Sequence, residues 1–307
     1  MAIKKLPSTG DRPQHTPTPT GLPQGQTAGG SGDSAGFPWA GRSFDHHGTA
    51  FANDDGQTPA EYAGARERFI ARVAGYTDAV AAADPTLVAQ ALTRLAEAER
   101  KLLAEFAKIR VLIPLVAEGG DFGVTDSGKI VEKTQELSIV TVAAPDGRTA
   151  MPVFTSTETM RAWDGTARPI PVPVPQAVIA AAQEETPLIV IDPASSATRV
   201  GVRAPRFEEI ASGKVLLPGW ADNQFAKTVQ EFATSADKRV RFATLMPLDP
   251  RLDLTNVEAE LVLGIAPGHS REAVQSIAAN ISAAWESNTV LSKRIDSVRL
   301  KFVPAGN

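Results

Sequence analysis

The chain has 307 residues, of which 43% are hydrophobic and 21% charged, with no cysteine and a formal net charge of -4. That composition removes disulfides, thiolate nucleophiles, cysteine-ligated zinc and iron–sulfur clusters, and it lacks the cationic excess that phosphate-backbone binding needs. No run approaches the roughly 18 apolar residues of a membrane span, and Leu6-Pro7-Ser8-Thr9-Gly10 follows Lys4-Lys5 where a secretory signal would be apolar. A soluble cytoplasmic protein with no nucleic-acid or membrane partner is the expectation.

Residues 1–43 are dominated by Pro, Thr, Gly, Gln and Ser, too little apolar surface to offset an ordering cost of about 1–2 kcal/mol per residue. A disordered tail is expected there. Phe37-Pro38-Trp39 is its exception, with Trp39 able to dock on the folded body or on a partner. Asp45-His46-His47 and Asn53-Asp54-Asp55-Gly56 concentrate oxygen and nitrogen donors, but a turn at Asp54-Asp55-Gly56 explains the second group without a metal.

Tyr62, Phe69, Val73, Tyr76 and Val80 form one helical stripe; Val88, Leu92, Leu95, Leu102 and Phe106 form another, started by Asp84-Pro85 as cap and first-turn proline. With a docking segment, this helical hairpin fills 44–107. The period then drops to two. Ile109 to Val116 reads as a strand in which Pro114 marks an edge or bulge, and 136–142 with 150–154 reads as a hairpin turning at Pro145-Asp146-Gly147-Arg148. Thr155 and Glu158 fit the ends of a capping box.

In Pro169-Ile170-Pro171-Val172-Pro173-Val174, alternate prolines remove donors from one edge only, which predicts a strand that pairs on one side. Leu188-Ile189-Val190-Ile191, stopped by Asp192-Pro193, reads as a buried central strand, and 198–202 pairs with it. Helices broken at Ser212-Gly213 and Pro218-Gly219 form a linker over 205–238. Strands at 239–245, 258–263 and 298–302 with a Ser270-capped helix form a β-β-α-β unit over 239–307. The expected fold is α/β (α+β): the hairpin, a mixed-sheet domain over 108–204, and the small C-terminal unit.

Catalytic signatures are missing: no P-loop, no dinucleotide fingerprint, no G-x-S-x-G, no H-E-x-x-H. Ser235-Ala236-Asp237-Lys238 matches S-x-x-K without the companion motifs. No catalytic residue, metal site or cofactor is assigned. Thr155 and Ser156, at a strand-to-helix turn whose amides could hold a carboxylate or phosphate, and Asp192, at a strand end where α/β ligands bind, are the candidate ligand or partner site; Trp39, Asp54 and Asp55 are secondary candidates.

Met151-Pro152-Val153-Phe154-Thr155-Ser156 followed by Met160-Arg161-Ala162-Trp163 resembles the SseB N-terminal domain family, named for enhanced serine sensitivity. Pro38-Trp39-Ala40-Gly41-Arg42, 51–56, 110–116, 188–193, 260–268 and 295–300 are similar to its actinobacterial branch. The resemblance implies an α/β protein of poorly defined biochemistry, with no catalytic set to carry over and a hint of an amino-acid (serine) link. The leading expectation is a non-enzymatic binding or regulatory protein with a protein or small-metabolite partner. An enzyme acting on an amino acid or related metabolite, and a structural adaptor using the N-terminal tail, are the alternatives.

Overall fold

The structure, a computed structural model, describes residues 3–5, 51, 53–117, 122–124, 130–132 and 137–306. The chain divides into two units, Pro7–Asp55 and Met1–Leu6 with Gly56–Asn307. In the first, the Asp54 amide closes a turn onto the Phe51 carbonyl at 3.0 Å, and Asp54 and Asp55 are exposed. Trp39 lies outside the described residues, as does the expected tail apart from residues 3–5.

The second unit begins with β1 (Ile3–Lys5). It pairs antiparallel with β5 at Val140–Val142, where that strand's edge would otherwise leave backbone groups open. The helical hairpin is α1 (Ala60–Ala81) and α2 (Pro85–Phe106). Asp84 caps α2 by accepting from the amides of Thr86 and Leu87 at 2.8 and 3.3 Å, and Ala83 makes the turn with φ +53°. Tyr62, Phe69 and Val73 are buried as the stripe predicts, but Val80 is 49% exposed and Ala79 replaces it in the core. The stripe leaves the interface before the last turn.

Next come β2 (Arg110–Ala117), the small pair β3 (Phe122–Val124) and β4 (Ile130–Glu132), β5 (Leu137–Ala143), β6 (Thr149–Val153), α3 (Thr157–Trp163), β7 (Arg168–Pro173), α4 (Val174–Gln183), β8 (Leu188–Ile191) and β9 (Val200–Arg203). The sheet order is β7-β2-β5-β6-β8-β9, with β1 also on β5; only β6–β8 is parallel.

Pro114 marks no edge: β2 has β7 on one side and β5 on the other. The Leu112 amide and carbonyl bond Phe154, so residues of Leu112's phase point away from β7, and Pro114 falls between that bridge and the start of β5 pairing at Leu115. No donor is required of it there. Register pairs Leu112 with Pro171, Pro114 with Pro169 and Arg110 with Pro173, so all three β7 prolines turn their nitrogens to the outer edge. The edge strand is closed to further pairing in the sense the sequence predicts.

Period two sorts the sheet's faces. Val111, Ile113, Met151, Val153, Ile189 and Ile191 pack under α1, α2, α4 and α5, while Val142, Ala150, Leu188 and Val190 lie on the other face with Leu254. Burying each large aliphatic chain contributes about 1.5–3 kcal/mol before entropy. Leu112, Phe154 and Met160 make a third cluster in which Phe154 tilts against Trp163 at 5.3 Å.

The stretch expected as a linker divides its helices between two cores. A 3-10 turn (204–206) runs into α5 (Phe207–Ser212), which puts Phe207 and Ile210 in the first core and ends on Gly213 at φ +68°. After a second turn at Gly219–Ala221, α6 (Asn223–Ala236) puts Phe225, Val229 and Ala233 in the second. Trp220 packs against both.

The C-terminal layer is β10 (Val240–Pro247), β11 (Ala259–Ile265), α7 (Arg271–Glu286), α8 (Thr289–Ser292) and β12 (Val298–Pro304), in order β10-β11-β12 with β11–β12 parallel. Ser270 caps α7 by accepting from Ala273. The loop from Asp249 to Leu254 lies along β9: the Gly201 amide donates to the Leu252 carbonyl, and a Cβ on Gly201 would sit 2.3 Å from the Leu254 side chain.

Candidate functional site

Thr155 and Asp192 end neighbouring parallel strands, β6 and β8, and meet directly. Asp192 has φ +49° and is 1% exposed; its Oδ1 accepts the Thr155 amide at 2.9 Å and its Oδ2 the Thr155 hydroxyl at 2.7 Å. With its one O–H donated to Asp192, that hydroxyl accepts from Thr58 at 2.8 Å. Arg66 of α1 lies over the Tyr62 ring and reaches Asp192 Oδ2 at 3.4 Å, while Arg110 holds the carbonyls of Thr155 and Gln57.

The helix cap differs from expectation by one residue. Ser156 is the N-cap, with Thr159 closing the capping box: the Thr159 amide donates to Ser156 Oγ at 3.1 Å and the Ser156 amide to Thr159 Oγ1 at 3.3 Å. Thr155 does not cap: its Oγ1 is turned to Asp192 and Thr58, and the helix amide at Thr159 donates to Ser156 Oγ instead. The structure therefore brings Thr155, Ser156 and Asp192 together and seals them. The amides read as open to a carboxylate are filled by the chain's own carboxylate and hydroxyl, and Thr155 and Ser156 are 0% and 4% exposed.

A second polar cluster escaped the sequence reading. Arg203, from β9, reaches Asp249 at 2.7 Å, the Asn256 carbonyl at 2.7 Å and Asp296 at 3.1 Å; Arg148 grips Asp296 with two bonds of 2.8 Å. Arg206 pairs with Glu209 at 3.0 Å, and Glu258 accepts the Asp296 amide at 2.6 Å. Burial pushes Glu99, on α2, and Glu258 up to about 7. The available signal was faint: Glu99 falls at helical spacing within the Leu95, Leu102, Phe106 stripe, a position for an apolar residue.

The third feature is an open groove of about 730 Å³ between α4 and α5, with Val178, Ile179, Ala182, Pro187, Phe207 and Ala211 as its apolar floor and walls. Ile179 is 48% exposed in it, and the charged residues lining it, Glu185 and Glu208, are both acidic. Among the described residues no group of three or more His, Asp or Glu side chains could hold a metal ion, and no helix is long and apolar enough to cross a membrane.

Residues 88–200 match the SseB protein N-terminal domain. The SseB match begins inside α2, takes in Thr155, Ser156, Asp192 and the whole of α4, and ends on the first residue of β9. No curated protein and no solved structure matches the chain.

Proposed function

We propose that the protein is a non-enzymatic binding or regulatory member of the SseB family, of its actinobacterial branch, that works in the cytoplasm by holding a protein partner in the α4–α5 groove. The observation that carries this reading is the groove itself: a large, open, apolar surface, whereas the Thr155 and Asp192 groups are fully engaged with each other. Its apolar floor suits aliphatic or aromatic side chains, and its two acidic residues suit a Lys or Arg flanking them. The partner is therefore a peptide segment with apolar anchors and basic flanks.

A free amino acid fits this groove poorly, since Glu185 and Glu208 could meet its ammonium but no basic side chain lines the groove to meet its carboxylate. A link to serine then runs through the partner, not through serine held in the groove. Ile179→Glu tests this, because an exposed position tolerates the charge while the apolar floor loses its centre. A protein that co-purifies with the wild type should be lost from Ile179→Glu at unchanged melting temperature; retention of the same partner in full would overturn the reading.

A further inference from the structure

Glu99 makes no hydrogen bond or ion pair with any described residue, although it is only 6% exposed. It lines a partly open cavity of about 20 Å³, and so do Arg203, Arg206, Asp249 and Glu258. These side chains come from both sides of one joint. Glu99, Arg203 and Arg206 belong to α2, β9 and the turn before α5; Asp249 and Glu258 belong to the loop that leads from β10 into β11.

The unfilled polar groups at the cavity are complementary. The Nε–H groups of Arg203 and Arg206 are buried without a partner, although the terminal nitrogens of both are engaged. Glu258 commits Oε2 to the Asp296 amide, and the Glu99 and Glu258 carboxyls line the same cavity as these two N–H groups. Two N–H donors and two carboxylate acceptors are what the two lone pairs and two hydrogens of one water satisfy, and a cavity must exceed about 10–15 Å³ to hold one. A single water fits that space.

Charge balance adds a second ligand. Facing Glu99 are Arg206, Glu258, Asp249 and Glu209; facing Glu258 are Arg203, Arg206 and Asp296. Arg203 serves Asp249 and shares Asp296 with Arg148, and Arg206 shares Glu209 with Arg294. With both glutamates ionised, the five carboxylates Glu99, Glu258, Asp249, Asp296 and Glu209 would meet these four guanidiniums, an excess of negative charge.

We propose that this cavity is a binding site for one water molecule and one proton, shared between Glu99 and Glu258, that joins the α2–β9 layer to the C-terminal layer. Proton retention near neutrality agrees with the burial that pushes both carboxyls up to about 7. A glutamate in an unfolded chain titrates at about 4.3, so between these values the folded chain binds more protons than the unfolded one. Stability from the site is complete below the lower value and falls as pH rises through the upper one.

Glutamine imitates a protonated glutamate, so full-length Glu99→Gln and Glu258→Gln are compared with wild type by urea unfolding at about pH 5.5 and about pH 8. The folding constant of Glu99→Gln relative to wild type should rise by about tenfold or more between the two pH values. Glu258→Gln should move in the same direction. A ratio that does not change with pH overturns the proposal.

If neither variant folds, the wild type alone decides by infrared spectroscopy. A carboxylic-acid carbonyl band that disappears around pH 7 supports the shared proton, and absence of any such band above pH 6 overturns it. A high-resolution crystal structure should show one water bonded to both Nε atoms. An empty cavity, or a chloride in that density, overturns the water assignment.

Discussion

Asp192 accepts both the amide and the hydroxyl of Thr155, at 2.9 and 2.7 Å, so the ends of β6 and β8 are tied by a carboxylate that neither strand exposes. A turn with the local geometry of an anion site is filled from within. Removing the carboxylate leaves two buried donors unanswered, at about 1–3 kcal/mol each. Asp192→Ala should lower stability by at least about 2 kcal/mol in urea denaturation. Asp192→Asn should lose less, because asparagine retains one acceptor and tolerates the positive φ.

The outer edge of β7 is closed by Pro169, Pro171 and Pro173, whose nitrogens face away from β2. Pro171→Thr with Pro173→Thr restores two donors to a free edge. The double variant should self-associate in a concentration-dependent way in sedimentation velocity, where the wild type does not change across the same range.

Asp237 ends α6 and is held by Arg239 through its amide at 3.0 Å and its guanidinium at 2.6 and 2.9 Å, and by Asn280 at 3.0 Å. The Arg239 hydrogen bonds hold its carboxyl well below the usual range. The stability it contributes is present above the unfolded aspartate value of about 3.9 and is lost as pH falls through the lower, folded value. Asp237→Asn should therefore be less stable than wild type at neutral pH, with the gap closing in acid.

Gly201 admits the Leu254 side chain where any Cβ would meet it at 2.3 Å. Gly201→Ala overpacks this contact at a cost of about 1–3 kcal/mol. In a Leu254→Ala background the same substitution should cost nearly nothing, a coupling that a double-mutant cycle reads directly.

The elements were legible where a residue type fixes a local geometry. Asp84-Pro85 started α2, the alternating prolines set the edge of β7, and Ser270 capped α7, because each acts within one turn or one strand of itself. What was misplaced depended on a distant partner. Thr155 looks like a cap until Asp192, far along the chain, and Thr58 hold its hydroxyl away from the helix and leave the cap to Ser156; Pro114 looks like an edge marker until Phe154 bonds Leu112. The Glu99 cavity and the α4–α5 groove were not legible at all. Each is made by elements far apart in sequence or by the packing of two short helices, and no spacing rule reports a cavity.

Groove occupancy is tested most directly by a photo-crosslinking amino acid placed at Ile179 in the full-length protein in its own cells, with Val290, also exposed, as the control position. A discrete crosslinked partner at 179 and not at 290, whose crosslinked peptide carries apolar residues beside Lys or Arg, is the predicted result. No crosslink at 179, or the same products at both positions, would contradict a partner-binding role for the α4–α5 groove.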